Sequence, residues 1–141
     1  MSEKHPCLGT KTILKQAIGI TDADLNKLSP RISNLLSNMG NLMGHRVVAE
    51  VTESKYCFFG LKPGDKIIIE GGKINPEAST ANLCLGAVAP IDEANALLMD
   101  RVAMGWKPDG SVITYVRCHD IGVEHGGLGI VWLKVYTEEI K

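Results

Sequence analysis

The hydrophobic pattern of this 141-residue chain changes its period near Gly44. Over residues 32–39 the apolar side chains recur every three or four positions, as they do in an amphipathic helix. Over residues 45–53 they alternate with other side chains, as they do in a half-buried strand. The chain is therefore predicted to have a helical N-terminal segment, 1–43, and a core domain, 44–141, that contains the strands.

Two helix starts are predicted in the N-terminal segment. Thr21 followed by Asp24 is a capping-box arrangement with Asp in place of the usual Glu. Ser29 is a favourable N-cap, and Pro30 suits the first helical position because its missing N–H would have no partner there. Gly40 is predicted to end the helix that Pro30 begins.

Three further strands are predicted in the core domain, over residues 67–69, 112–117 and 129–137. A pair of helices is predicted between the first and second of these strands, with Pro90 ending one helix and Asp92 capping the next. This order predicts an α+β fold with a small, mainly antiparallel sheet and a helix pair inserted between strands.

Composition excludes several classes of protein. The chain has 15 basic and 16 acidic residues, and this balance argues against a basic nucleic-acid-binding module. The uncharged run from Ser79 to Ile91 is much shorter than the ~20 residues of a membrane span, and the polar N-terminus lacks the apolar region of a signal peptide. We therefore predict a cytoplasmic protein that binds neither nucleic acid nor a membrane, and whose partner is another protein or a second copy of itself.

The common catalytic and nucleotide-binding motifs are absent from the sequence. There is no P-loop, no GxGxxG, no HExxH and no GxSxG. No nucleotide cofactor is predicted, and the cysteines carry the remaining chemical signal.

Three of the four cysteines fall where elements begin or end, which is where binding sites are usually assembled. Cys57 follows a predicted strand, Cys84 lies near the start of the helix that Ser79 is predicted to cap, and Cys118 ends a strand directly before His119. Three thiolates and an imidazole are a suitable donor set for one zinc or iron ion. Because neighbouring strand residues face opposite sides, Cys118 and His119 can both be ligands only where the backbone turns.

Other roles for these residues stay open. The cysteines could be small hydrophobic residues of the core. A thiol enzyme is another alternative, because a helix N-terminus would favour the thiolate of Cys84, with His119 or His125 as the base and Asp120 orienting the imidazole. A non-metal interaction module is a third, suggested by the amphipathic helix and by Trp106 as an interface anchor. Cys7 is predicted to be an ordinary exposed thiol.

Within residues 47–135 the chain resembles a family of short, mostly uncharacterised prokaryotic proteins. The shared pattern runs from Cys57 through Gly60, Lys62 and Gly64 to Asp65, then from Asn82 through Cys84 to Ala87 and Pro90, then from Gly105 and Trp106 to Cys118 and Asp120. The chain departs from this pattern at His119, where the family has Pro, and at Leu61, where it tends to have His. The resemblance implies that Cys57, Cys84 and Cys118 act together in a compact domain with an accessory or small-subunit role in anaerobes.

These observations lead to one hypothesis for the function. The chain is predicted to be a small metal-binding accessory domain, or a small subunit of a larger anaerobic enzyme, with Cys57, Cys84, Cys118 and His119 as ligands of zinc or iron.

Overall fold

The computed structural model of the protein describes residues 8–108 and 110–141. Cys7 lies outside the described residues. Within them the chain forms helices first and then a sheet interrupted by one long helix. The helices are α1 (Leu8–Ile18), α2 (Asp22–Leu25), α3 (Pro30–Ser37), α4 (Met39–Met43) and α5 (Leu85–Ala103), and the strands are β1 (His45–Lys55), β2 (Lys66–Glu70), β3 (Lys73–Asn75), β4 (Tyr115–Arg117) and β5 (Ile130–Glu139).

The described strands form one sheet in the order β3-β2-β1-β5-β4, and every neighbouring pair is antiparallel. This confirms the predicted α+β fold. β1 and β5 are the two longest strands and pair along nearly their whole length, with a register shift between Val51 and Glu53. The short strand β3 was not predicted, because two glycines, Gly71 and Gly72, precede it and the sequence has no alternating run there.

The core lies between one face of the sheet and α5. On β5 the residues Val131, Leu133 and Val135 are buried, whereas Trp132 and Lys134 between them are exposed, as the predicted alternation requires. The facing surface of α5 contributes buried apolar side chains at helical spacing. These are Ala87, Ile91, Ala94 and Leu98.

The predicted helix pair is a single continuous helix. Pro90 lies inside α5 instead of ending it. A proline in this position cannot donate to the carbonyl four residues earlier, which is that of Gly86. The backbone N–H of His119 donates to this carbonyl at 3.0 Å, so the acceptor that Pro90 leaves free is satisfied from the end of β4.

The start of α5 also differs from the prediction. The helix begins at Leu85, with Cys84 as its N-cap, and not after Ser79. The hydroxyl of Ser79 accepts the Ile68 N–H at 2.9 Å and donates to the Asn75 carbonyl, so it stabilises β2 instead.

The two N-terminal helix starts are as predicted. The Thr21 hydroxyl accepts the N–H of Asp24, and the Ser29 hydroxyl accepts the N–H of Ile32. Gly40 does not end the second of these helices, because α3 stops at Ser37 and α4 runs through Gly40. In the part of the chain that the structure describes, no helix is long and apolar enough to cross a bilayer.

The exposed face of the sheet contains one strongly perturbed tyrosine, which gives a pH prediction. Burial, followed by the hydrogen bond that Tyr136 donates to Glu50 at 2.9 Å, raises the pKa of Tyr136 to about 12 from 10.0. The raised pKa means that Tyr136 stabilises the fold below about pH 10, and that this stabilisation is lost as the pH rises through about 12. The phenolate absorbance of Tyr136 is the part of the ultraviolet signal that is missing in Tyr136→Phe. We expect this absorbance to appear in a pH titration with a midpoint near pH 12. A midpoint near 10 would contradict the buried hydrogen bond.

Candidate functional site

Cys57, Cys84 and Cys118 line one cavity of about 110 Å³ beside the core. The cavity lies where the end of β1, the start of α5 and the end of β4 meet. Cys118 is buried, the other two cysteines are half-buried, and none of the three is in a disulfide within the described residues. The sequence placed these cysteines at element ends, and the fold brings those ends together.

Cys57 follows a strained turn at the end of β1. Tyr56 has a φ of 56°, a left-handed conformation that side chains other than glycine rarely adopt. Gly129 packs directly on this turn, since a Cβ added to it would lie 2.7 Å from the Tyr56 carbonyl oxygen. The position of Cys57 is thus fixed by close backbone contact with the residue that precedes β5.

Cys84 occupies the N-cap of the 19-residue helix α5. Its carbonyl accepts the N–H groups of Ala87 and Val88, at 3.0 and 2.9 Å. The side-chain amide of Asn82 donates to the Phe59 carbonyl at 2.7 Å, which ties the segment before Cys84 to the loop after Cys57. The thiol therefore lies at the N-terminus of α5, where its side chain makes no cap hydrogen bond.

Cys118 takes part in the sheet through its backbone and through its sulfur. Its N–H donates to the Val131 carbonyl at 2.9 Å, and the Val131 N–H donates back to the Cys118 Sγ at 3.3 Å. In a regular antiparallel pair the second bond would go to a carbonyl oxygen. Here the sulfur is the acceptor, so the side chain of Cys118 replaces a backbone group in the ladder.

Asp120 holds the loop that closes this side of the cavity. Its carboxylate accepts the N–H groups of Leu128 and Gly129, each at 2.8 Å, and of Gly122 at 3.1 Å. These hydrogen bonds lower the pKa of Asp120 below its usual value, and the bond from the Gly129 N–H has the largest effect. A Cβ on Gly127 would clash with the Asp120 Oδ1, so the loop wraps the carboxylate closely.

The two histidines that the sequence suggested as ligand or base do not line the cavity. His119 and His125 are both exposed. His119 lies at a bend after β4, and its backbone N–H donates to the Gly86 carbonyl of α5. Among the described residues, no group of three or more His, Cys, Asp or Glu side chains is placed so that it could hold a metal ion.

Sequence reasoning missed how the residues between Asp120 and Gly129 support the site. From the sequence, Asp120 was suggested only as a residue that could orient an imidazole. The signal that was present is an aspartate followed by glycines at 122, 127 and 129, each placed where a Cβ would meet another atom at 2.8 Å or less. Phe58 and Phe59, which also line the cavity, gave no recognisable signal.

No protein family, curated protein or solved structure matches this chain. The family resemblance of the sequence therefore stays a hypothesis, and the argument for function rests on the cavity itself.

Proposed function

We propose that this protein is a small metal-binding accessory domain in which Cys57, Cys84 and Cys118 bind one zinc or iron ion. The observation that carries the proposal is that three thiols from three separate elements line a single cavity. Thiolates are the preferred donors of zinc and of iron–sulfur centres, and each metal–sulfur bond is about 2.3 Å long.

Binding requires the three sulfurs to lie within about 2.3 Å of one ion. The side-chain torsion of each cysteine is the one that moves its sulfur. The backbone segments are already connected, by Asn82 to the Phe59 carbonyl and by the His119 N–H to the Gly86 carbonyl. A fixed backbone lowers the cost of assembling the ligands when the metal binds.

A metal binds the thiolate form of cysteine. The Val131 N–H donates to the Cys118 sulfur, and Cys84 lies at the N-terminus of α5. Binding should release thiol protons and therefore strengthen as the pH rises.

The alternatives have less support in the geometry. A Cys–His enzyme needs an imidazole within hydrogen-bond reach of the thiol, and neither His119 nor His125 lines the cavity. An interaction module is compatible with Phe58 and Phe59, which are 82% and 58% exposed at the cavity. The same two side chains suit an accessory subunit whose partner covers the metal site, so they do not separate this alternative from the proposal.

Metal analysis of protein purified without oxygen tests the proposal. We expect about one equivalent of zinc or iron per chain, because three thiolates bind either ion tightly. A pure interaction module or a metal-free thiol enzyme predicts less than about a tenth of an equivalent, and that result would overturn the proposal.

A further inference from the structure

We infer that the outer edge of β4 pairs antiparallel with β4 of a second copy of this chain, so that the two sheets join across a twofold axis. β4 lies at the end of the strand order, and β5 is its neighbour among the described strands. An edge strand presents main-chain N–H and C=O groups to which another strand can be added. The residues of β4 do not line the cysteine cavity, so this interface does not depend on the proposed function.

The hydrogen bonds beside β4 show which of its main-chain groups point outward. The Cys118 N–H donates to β5 at 2.9 Å, and the Thr114 carbonyl accepts from β5 at 2.8 Å. Main-chain groups of alternate residues point to the same side of a strand, so those of Val116 also point toward β5. The N–H and C=O groups of Tyr115 and Arg117 therefore point away from β5, toward the position that a second strand would occupy.

These two outward-pointing residues define the register of the interface. When two copies of β4 meet antiparallel with Val116 opposite the partner's Val116, Tyr115 of each copy lies opposite the partner's Arg117. Both of these pairs are of the hydrogen-bonded kind, in which the two residues exchange both N–H···O bonds. The same strand serves both copies, as a closed twofold interface requires.

The side chains on the outer face of the sheet fit this register. Arg117 lies opposite Trp132, and its guanidinium is 5.9 Å from the centroid of the ring. Tyr115 lies opposite Lys134. Pairing Tyr115 with the partner's Arg117 extends this row so that every cation lies beside an aromatic ring, which is an attractive arrangement. A shift that placed the two Arg117 side chains opposite each other would oppose like charges and is unfavourable.

Exposed apolar side chains distinguish this edge of the sheet from the opposite edge. Tyr115 is 52% exposed, and Val112, shortly before β4, is 90% exposed. Residues 61–82, which contain the other edge strand β3, contribute no exposed large apolar side chain. That strand begins with the exposed Lys73, and lysine on an edge strand disfavours the addition of another strand. Association through β4 would remove apolar surface from water and is favoured for that reason.

The molar mass of the full chain in solution, measured by analytical ultracentrifugation, tests this interface. A chelator and a reductant are present, so that neither a metal nor a disulfide joins the copies, and we expect a reversible dimer. Tyr115→Pro removes an outward-pointing N–H, which an edge strand tolerates, whereas Tyr115→Ala removes the side chain and keeps the N–H. We expect the dissociation constant of the Tyr115→Pro dimer to be at least about tenfold above that of Tyr115→Ala, because each copy loses a hydrogen bond across the interface.

Two results of this measurement would overturn the inference. One is an unmodified chain that stays monomeric, with a dissociation constant above about 1 mM. The other is a dimer that Tyr115→Pro and Tyr115→Ala weaken equally, because such a dimer does not depend on the outward-pointing N–H. Neither result bears on the metal content of the protein, so the proposed function is judged separately.

Disulfide cross-linking tests the register, and it remains decisive if Tyr115→Pro does not fold. A hydrogen-bonded pair places the two Cα atoms about 5.5 Å apart, which is within the range that a disulfide spans. Chains with Tyr115→Cys are mixed with chains with Arg117→Cys and oxidised with diamide, which takes up the two electrons and two protons of the thiols. We expect the mixture to give a severalfold higher yield of covalent dimer than either variant alone or the unmodified chain, whose own cysteines set the background. Equal yields would contradict the pairing of Tyr115 with the partner's Arg117.

Discussion

Cys118→Ser is expected to abolish tight metal binding. Cys118 is the most buried of the three cysteines, and its sulfur is already the acceptor of the Val131 N–H. A serine hydroxyl is a poor ligand for zinc or iron because it is not ionised near neutral pH. Loss of a partner that only orients a ligand weakens metal binding by about 10–100-fold, so loss of a ligand should cost at least about 100-fold. Competition with a chromophoric chelator measures the affinity.

Two matched variants control for this result. Cys7→Ser removes the fourth thiol of the chain and should leave the affinity unchanged. His119→Ala removes an exposed side chain but keeps the backbone N–H that donates to Gly86, so it should also leave the affinity unchanged. A loss of affinity in His119→Ala comparable to that in Cys118→Ser would mean that the imidazole is a ligand after all.

The sheet could be predicted from the sequence because its signal is local. β5 alternates buried Val131 and Leu133 with exposed Trp132 and Lys134, and the period of two in the sequence is sufficient to recognise it. The helix starts at Thr21 and Ser29 were predicted for the same reason, since each cap contacts an N–H only three residues away. Such signals do not depend on the rest of the fold.

The continuity of α5 could not be predicted, because it depends on a contact between distant parts of the chain. A proline inside a helix removes the N–H that would bond to the carbonyl four residues earlier, and it therefore usually ends or kinks the helix. Here the donor is the N–H of His119, almost thirty positions away in the sequence and brought close only by the sheet. The prediction that Pro90 ends a helix was therefore wrong, because a tertiary hydrogen bond overrides the local preference.

The candidate site could be predicted from the sequence only in part. The sequence identified Cys57, Cys84 and Cys118 because each lies at the end of an element, but their convergence depends on the strand order and on where α5 begins. His119 was proposed as a ligand because of its position next to Cys118 in the sequence. His119 instead lies at a bend after the end of β4, and its exposed side chain does not line the cavity.

Gly129→Ala is expected to lower both the stability of the fold and the affinity for metal. The added Cβ would lie 2.7 Å from the carbonyl oxygen of Tyr56 and 3.1 Å from that of Lys55. These are backbone atoms, so the strain is relieved only by moving the end of β1. Overpacking of this kind costs about 1–3 kcal/mol, which chemical denaturation measures. Because Cys57 follows Tyr56 directly, the movement should also displace its sulfur from the cavity.

A second glycine variant separates the close contact from a general effect of adding a methyl group. Gly40 lies in α4, and a Cβ there has no atom within 4 Å, so Gly40→Ala should raise the free energy of unfolding by up to about 1 kcal/mol. Metal affinity should then fall in Gly129→Ala and stay unchanged in Gly40→Ala. Normal affinity in a destabilised Gly129→Ala would show that Cys57 binds independently of the turn before it, and would remove the argument that Gly129 positions that ligand.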